Sequence, residues 1–252
     1  MFKSMHNMEN PLVICNVWDA ASAMIAQNSG FSAIGTSSAA IAKNLGKEDG
    51  ENISFESLLS IVDIICKSTI LPLTVDIEAG YGHTPEAIAG NIIKLTNLGV
   101  VGINIEDSIV VKGERQLCDQ VVFAKRLAKI RKQLSDANIE VFINVRSDAY
   151  LLNVTHPLKE SINRINKYQQ SGADGIFLPC IEASSDIQSV VASTSLPINV
   201  MCVPDLPTFS ELKSLGVKRI SMGNFVHQAM LASLSCKFRA IQKDQCFNSL
   251  FS

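Results

Sequence analysis

The sequence predicts an α/β fold, a single-domain (β/α)8 TIM-type barrel. Short apolar runs alternate with amphipathic segments along all 252 residues, which gives about eight strand-then-helix units. The rival is a doubly wound open sheet, which usually carries a phosphate-binding glycine fingerprint after its first strand. Here the first strand runs into C-N-V-W-D-A-A, which has no such glycines. We therefore favour the barrel.

The element boundaries follow from apolar periodicity, from capping residues and from the glycines that end helices. Thr84-Pro85-Glu86, for example, has the N-cap, first-turn proline and acid of a helix start. Strands are predicted over residues 12–17, 33–37, 71–78, 100–107, 141–148, 175–180, 196–202 and 219–222. Helices are predicted over residues 19–28, 54–67, 85–98, 121–134, 158–170, 186–193, 208–215 and 225–243. Residues 1–10 read as a loose arm, and about 225–252 as a C-terminal helical segment.

Composition excludes several classes of function. The net charge is −2 with no long run of one sign, which argues against nucleic acid and against an acidic membrane surface as partners. No run of 18 apolar residues predicts a membrane span, and the first residues lack the apolar region of a secretion signal. Seven cysteines without C-x-x-C spacing indicate free thiols and predict a cytoplasmic protein.

The most informative stretch is L-T-V-D-I-E-A-G-Y-G at residues 73–82. Read as a strand, it places its apolar residues on one face and Thr74, Asp76 and Glu78 on the other. The two carboxylates would lie ~6 to 7 Å apart and repel by roughly 2.5 kcal/mol at an effective dielectric of ~20. Such a pair next to a core needs a counter-charge, a raised pKa or a cation.

Two further strands also end in charge. Glu106 lies near the end of the fourth predicted strand, Arg146 lies near the end of the fifth, and Asp49 follows the second. Because oxygen-only ligands favour a hard cation, Asp76, Glu78 and Glu106 are predicted to bind Mg2+, with Mn2+ as the second option. Arg146 offers a planar fork for a substrate carboxylate or phosphonate.

The predicted substrate contacts are hydroxyls, backbone N–H groups and polar side chains near the same barrel mouth. They are Thr36, Ser37, Ser38, Asp49, Arg146 and Asn199. Each has a plainer alternative. Asp76 and Glu78 could pair with lysines, Arg146 could only neutralise Glu106, Asp49 could be solvated, and the Thr36–Ser38 segment could be an ordinary turn.

Four motifs together resemble the isocitrate lyase/phosphoenolpyruvate mutase superfamily, in its phosphoenolpyruvate phosphonomutase-like branch. They are N-V-W-D-A-A-S-A at 16–23, D-I-E-A-G-Y-G at 76–82, G-I-N-I-E-D at 102–107 and V-R-S-D-A at 145–149. Their order and spacing match over roughly residues 10–240. The resemblance implies a (β/α)8 barrel that binds Mg2+ and a 2-oxo acid or its enolate.

The resemblance also implies roles for individual residues. Asp76 would bind the metal, Glu78 would hold metal-bound water, and Glu106 and Asp49 would be the further acids of the site. Arg146 would hold the substrate carboxylate, and backbone amides of residues 36–38 would bind the 2-oxo acid. The last helix would be exchanged between neighbours in a homodimer or homotetramer.

One loop departs from the superfamily pattern. Lyases carry K-K/R-C-G-H after the fourth strand and phosphonomutases carry K-T-N-S, whereas residues 109–117 here read I-V-V-K-G-E-R-Q-L. The role of the lyase cysteine is not transferred to Cys118. We expect this loop to close over the substrate, with Lys112, Glu114 and Arg115 as the candidate acid or base.

The sequence thus predicts a Mg2+-dependent lyase or hydrolase of a small 2-oxo acid or phosphonate, acting through a metal-stabilised enolate. The first alternative is a phosphoenolpyruvate mutase-type isomerase. The second, from another class, is a catalytically inactive metabolite-binding protein that keeps the metal pocket. A third is a structural oligomer whose acids are only ion pairs. A small anionic metabolite is the expected partner of the lyase or hydrolase, of the isomerase and of the metabolite-binding protein.

Overall fold

The computed structural model describes residues 2–251, and its eight parallel strands close into a barrel with helices between them. This confirms the predicted (β/α)8 fold. Around the barrel the order is β1-β10-β9-β8-β7-β4-β3-β2, and β5 pairs with β6 in a separate antiparallel hairpin. The strands are β1 Leu12–Val17, β2 Ile34–Thr36, β3 Leu73–Asp76, β4 Gly102–Glu106, β5 Ser108–Val111, β6 Glu114–Leu117, β7 Phe142–Arg146, β8 Gly175–Leu178, β9 Ile198–Met201 and β10 Arg219–Ser221.

The helices begin and end close to the predicted positions, because their caps are the ones that the sequence indicates. Asp19 accepts a hydrogen bond from the Ser22 N–H in a capping box, and Thr84 caps the helix that Pro85 begins. The helices are α1 Phe2–Met5, α2 Ala20–Asn28, α3 Ser38–Asn44, α4 Phe55–Ser68, α5 Pro85–Thr96, α6 Gln120–Asp136, α7 Pro157–Gln170, α8 Ser184–Ala192, α9 Phe209–Ser214 and α10 Phe225–Asp244, followed by a 3-10 turn Asn248–Leu250.

Two kinds of core flank the strands. An apolar layer fills the space between the barrel and its helices, with residues such as Val75, Ile103 and Val145 fully buried. A small apolar cluster closes the bottom of the barrel interior, and it contains Phe2, Leu12, Ile14, Ala33 and Phe142. Above this cluster the inward-facing side chains are polar, so the interior leads upward to a charged mouth.

Part of the predicted loose arm packs against the barrel, whereas residues 7–10 are exposed. Phe2 is only 6% exposed, and the His6 ring stacks on Phe142 with 4.2 Å between centroids. Apolar side chains at the start of the chain thus close the bottom of the barrel. Met1 of the predicted arm and Ser252 of the C-terminal segment lie outside the described residues.

The sequence missed two elements and placed one boundary wrongly. Helix α3 and the β5–β6 hairpin lie where loops were predicted. Strand β3 ends at Asp76, so Glu78 is not part of an extended strand; it has a φ of 50°, in the left-handed region.

The last helix is packed less than the others. Of its 20 residues only His227 is buried. Its exchange between subunits stays a prediction. None of the helices within residues 2–251 combines the length and the apolar character that crossing a membrane requires.

Candidate active site

Charged side chains meet at the C-terminal ends of three neighbouring strands. Asp76 ends β3, Glu106 ends β4 and Arg146 ends β7. Backbone register places Glu106 directly opposite Arg146. Asp76 is 7% exposed and Glu106 1%, so both are buried acids. Barrel enzymes have their active sites at this end.

Asp76 is held by the segment that follows β2. Its backbone N–H donates to Thr36 Oγ1 at 2.8 Å, and its Oδ2 accepts from Ser38 Oγ at 3.3 Å. Ser37 caps α3 by accepting from the Ala40 N–H. Three of the predicted substrate contacts, Thr36, Ser37 and Ser38, therefore lie at or beside the mouth. The hydroxyls of Thr36 and Ser38 form hydrogen bonds with Asp76, and the hydroxyl of Ser37 caps α3.

Glu78 enters the mouth from a strained turn. A left-handed φ at a residue other than glycine costs about 1 to 3 kcal/mol, so surrounding contacts must hold it. The Tyr81 hydroxyl donates to Glu78 Oε1 at 2.9 Å, and the Glu51 N–H donates to Oε2 at 2.6 Å. The Glu78 N–H donates to Asp76 Oδ1 at 3.1 Å, which ties the two acids together.

Both acids ionise with difficulty. Burial raises the pKa of Asp76 to about 6, which the Arg146 charge opposes and the Glu78 charge increases. Burial also raises the pKa of Glu78 to about 7, and the charges of Asp49 and Glu106 add to this. Burial is the largest cause of both raised pKa values, and the neighbouring carboxylates add to it. A positive charge placed between these acids would favour their ionised forms.

Arg146 lies between two carboxylates. Its Nη1 is 2.7 Å from Glu106 Oε1, and its Nε is 2.6 Å from Asp148 Oδ1. Burial alone would lower the pKa of Arg146, but these two carboxylates raise it, so the guanidinium stays charged. The contacts match the alternative in which Arg146 neutralises Glu106. A grip on a substrate carboxylate stays a prediction.

The hairpin brings Arg115 into the same cluster. Lys112 and Gly113 both have positive φ values, 53° and 84°, as a two-residue hairpin turn requires. Arg115 Nη1 contacts Glu106 Oε2 directly and lies 3.0 Å from Ser108 Oγ. Arg115 also reaches Asp148 Oδ2 and Asp49 Oδ2, both at 3.3 Å.

Five carboxyl groups thus face two guanidinium groups at the mouth. We call these five the mouth acids: Asp49, Asp76, Glu78, Glu106 and Asp148. Two of the predicted hairpin residues, Lys112 and Glu114, are exposed at the turn and are not part of this cluster.

Asn199 is placed below the mouth and not at it. Its side chain is 1% exposed, donates to Val200 O and Ser221 Oγ and accepts from Asn144. Asn199 is therefore part of the packed barrel interior, and a substrate contact by Asn199 stays a prediction.

Sequence reasoning missed three residues that shape the mouth, Asp148, Ser108 and Tyr81. Asp148 Oδ2 accepts from Ser108 Oγ at 2.5 Å, and its backbone N–H donates to Asp107 Oδ1. Asp148 stands two residues after Arg146, on the same face by strand period, and that spacing could have identified it. Tyr81 gave no such signal, because it reaches Glu78 only through the left-handed turn.

The mouth acids fit a hard divalent cation by chemistry. Carboxylate oxygens are the ligands that Mg2+ prefers, and two guanidinium groups do not offset five carboxylates. Yet within residues 2–251 no group of three or more His, Cys, Asp or Glu converges on a point where a metal ion could bind. Arg115 lies against Glu106, so an ion that uses Glu106 has to displace it. Metal binding by Asp76, Glu78 and Glu106 stays a prediction.

Residues 2–242 match the family model described as Phosphoenolpyruvate phosphomutase. The chain belongs to this family. The resemblance of the four sequence motifs to the phosphoenolpyruvate mutase/isocitrate lyase superfamily is thereby confirmed.

Relatives within the phosphoenolpyruvate phosphomutase family span most of the chain. An uncharacterized protein of Mycobacterium tuberculosis (strain ATCC 25618 / H37Rv) is 32% identical over 95% of this chain and 88% of that protein. Oxaloacetate decarboxylase 1 of Pseudomonas fluorescens (strain Pf0-1) is 27% identical over 91% of this chain and 78% of that protein. These similarities support an enzyme of the lyase and mutase class.

Solved structures agree with the barrel. One from Burkholderia cenocepacia J2315 is 36% identical with a TM-score of 0.88, covering 94% of this chain and 97% of that chain. Oxaloacetate acetylhydrolase in complex with its product oxalate has a TM-score of 0.87 at 20% identity, covering 98% and 87%. At that identity the second similarity shows the fold alone.

Proposed function

We propose that this chain is a Mg2+-dependent lyase that decarboxylates oxaloacetate or a closely similar 2-oxo acid. The observation that carries the proposal is the mouth itself, where the five mouth acids outnumber the guanidinium groups of Arg115 and Arg146 that contact them. An excess of carboxylates suits a divalent cation, and a guanidinium beside that cation suits a dicarboxylate. The relatives named oxaloacetate decarboxylase support this choice of substrate.

In this proposal Asp76, Glu78 and Glu106 hold the ion, which, when bound, stabilises negative charge on the substrate carbonyl oxygen. Arg146 remains ionised between Glu106 and Asp148 and offsets part of the same charge. The C3–C4 bond breaks, its electron pair enters the enolate, and C4 leaves as CO2. A proton from water then adds to C3 and gives pyruvate.

The hairpin chemistry favours decarboxylation over the thiol route of the superfamily lyases. Decarboxylation needs no protein base, because the departing carbon leaves as CO2. Cys118 is a poor substitute for the missing cysteine: it is half-buried, and burial raises the pKa of its thiol. Its backbone N–H donates to Asp107 O, and its backbone C=O accepts from Arg164 Nη2.

A second candidate is a metabolite-binding protein without turnover. The contact of Arg115 with Glu106 favours it, since the protein already supplies a cation to that acid. In this candidate an anion binds beside the two guanidinium groups and no bond is broken.

One experiment separates the two. We expect oxaloacetate, but not phosphonopyruvate or 2-methylisocitrate, to be consumed with Mg2+ present, and EDTA to abolish the reaction. Mg2+ without protein sets the background, because free divalent ions also decarboxylate oxaloacetate. Turnover that survives EDTA contradicts metal dependence. No turnover, together with a higher melting temperature in oxalate, identifies the second candidate.

We also propose that α10 mediates a homo-oligomer. Its exposed apolar residues recur every four positions and form one stripe, which suits a second copy of the chain. The stripe consists of Val226, Met230, Leu234 and Phe238, which are 41%, 43%, 45% and 59% exposed.

We expect Leu234→Lys to convert the oligomer to monomers, because a lysine cannot be buried in an apolar contact without a partner. Light scattering after size exclusion measures this. Ser235→Lys, an exposed position off the stripe, is the matched control and should leave the mass unchanged. A wild-type monomer at micromolar concentration contradicts the proposal.

A further inference from the structure

A third arginine lies inside the barrel, below the mouth. Arg219 begins β10 and is 1% exposed, and its side chain is among the largest that are fully buried within residues 2–251. Within residues 2–251 its hydrogen bond runs from Nη2 to Asn104 Oδ1 at 3.4 Å, while Nε and Nη1 are buried without a partner. A buried guanidinium without a paired acid carries a large desolvation cost. Its presence calls for a physical reason.

The amides around Arg219 do not supply a counter-charge. Asn104 Oδ1 also accepts from Asn144 Nδ2 at 2.9 Å, Asn144 Nδ2 donates to Asn199 Oδ1 at 3.1 Å, and Asn199 donates to Ser221 Oγ at 3.1 Å. Barrel interiors are usually filled by branched aliphatic side chains, so this polar layer is unusual. The network orients Asn104 toward Arg219 but carries no charge.

Strand register connects Arg219 with one of the mouth acids, Asp76, through Asn104. Arg219 forms none of the ion pairs found within residues 2–251. Burial lowers the pKa of Arg219 to about 9, and the Asp76 charge opposes this, so the guanidinium is charged at neutral pH. His6 adds no charge, because burial and Arg219 lower its pKa to about 4. Asp76 is in register with Asn104, the residue that Arg219 contacts.

We infer that Arg219 is a positioning residue, a buried positive charge that supports Asp76 from inside the barrel and shifts the mouth toward anions. The charge of Arg219 attracts Asp76 through space. The hydrogen bond to Asn104 connects Arg219 with β4, the strand that ends in Glu106. The stabilisation of Asp76 by Arg219 does not require a metal ion. The preference of the mouth for anionic ligands rests on the proposed function. The two parts therefore need separate tests.

The first test is a double-mutant cycle of Arg219→Met and Asp76→Asn, measured as melting temperature of metal-free protein at pH 8. We expect Arg219→Met to lower the melting temperature by roughly 2 to 8 °C more in the wild-type background than in the Asp76→Asn background. Asp63→Asn is the matched control and should show no coupling, because Asp63 is a partly exposed acid on α4 that is paired with Lys67. Additive losses in the cycle overturn the inference.

Arg219→Gln covers the case in which Arg219→Met does not fold, because it removes the charge and keeps a polar side chain. Asp76→Asn should raise the melting temperature more in the Arg219→Gln background than in wild type, whereas Arg219→Lys keeps the charge and should show the wild-type gain. An equal gain in all three backgrounds also overturns the inference.

The second test has a signature that loss of packing would not produce. With Mn2+ as the probe, Arg219→Met should bind the ion about fivefold or more tightly and oxalate, at saturating Mn2+, about fivefold or more weakly. Arg219→Lys should stay near wild type in both titrations. Weakening of both ligands contradicts the charge effect. If wild-type protein binds no Mn2+, the proposed function fails, and the stability cycle alone decides the role of Arg219.

Discussion

Asp76→Asn should reduce turnover by roughly 10²- to 10³-fold or more and abolish Mn2+ binding. Asp76 ends β3, and its carboxylate accepts hydrogen bonds from the Ser38 hydroxyl and from the Glu78 N–H. An amide keeps the shape and the acceptor oxygen but removes the charge that a divalent ion needs. Steady-state decarboxylation and calorimetric Mn2+ titration measure the two losses.

The same substitution should stabilise the metal-free protein at high pH. Burial raises the pKa of Asp76 from 3.8 to about 6, so the folded protein holds a proton that the unfolded chain has already released. Stability from this group is therefore present at low pH and falls as the pH rises from about 4 to about 6. At pH 8 the ionised carboxylate disfavours folding by about 3 kcal/mol, and Asn mimics its protonated form. We expect a melting temperature about 6 to 12 °C higher than wild type at pH 8, and no gain at pH 4.

Asp76→Asn is an informative test because it should lower turnover and raise stability at the same time. A residue that only maintains the fold loses activity and stability together, whereas a buried functional acid loses activity and gains stability. Asp63→Asn is again the matched control, because Asp63 is a partly exposed partner of Lys67 and its substitution should change neither quantity. Lower stability at pH 8 for Asp76→Asn would mean that Asp76 is part of a structural ion network.

Strand positions could be predicted from sequence because they depend on local pattern. Apolar residues at alternate positions specify β3, β4 and β7, and their charged last residues, Asp76, Glu106 and Arg146, follow directly. Such strand ends meet at one mouth in any closed parallel barrel. Placement of these three side chains therefore needed no tertiary information beyond the fold class.

Contacts made by turns and long side chains could not be predicted in the same way. Glu78 reaches the mouth through a left-handed φ, which no propensity favours for glutamate. The hairpin turn at Lys112-Gly113 lacks the Asn-Gly or Asp-Gly signature, although the β-branched residues before it are typical of a strand. Arg219 in β10 reads from sequence as an ordinary strand residue, since periodicity does not reveal which face of a short strand is internal.

Arg115→Gln should tighten Mn2+ binding by about tenfold while lowering turnover. Arg115 and a divalent ion compete for Glu106, whose Oε2 is already in contact with the guanidinium. Hydrogen bonds to charged groups contribute about 1.5 to 3 kcal/mol, so removal of this competitor corresponds to roughly a tenfold gain or more in affinity. Turnover should fall because the hairpin loses its contacts with Asp148 and Asp49 and no longer closes over the mouth.

Lys112→Gln separates the effect of position from the effect of charge. Lys112 is in the same hairpin and carries the same charge, but it is exposed at the turn and is not in contact with the mouth acids. It should leave Mn2+ affinity within about twofold of wild type, as expected for a screened surface charge. If Arg115→Gln instead weakens Mn2+ binding, Arg115 organises the acids and does not compete with the ion. The observed contact would then favour the metabolite-binding protein, in which the guanidinium is the permanent cation of the mouth.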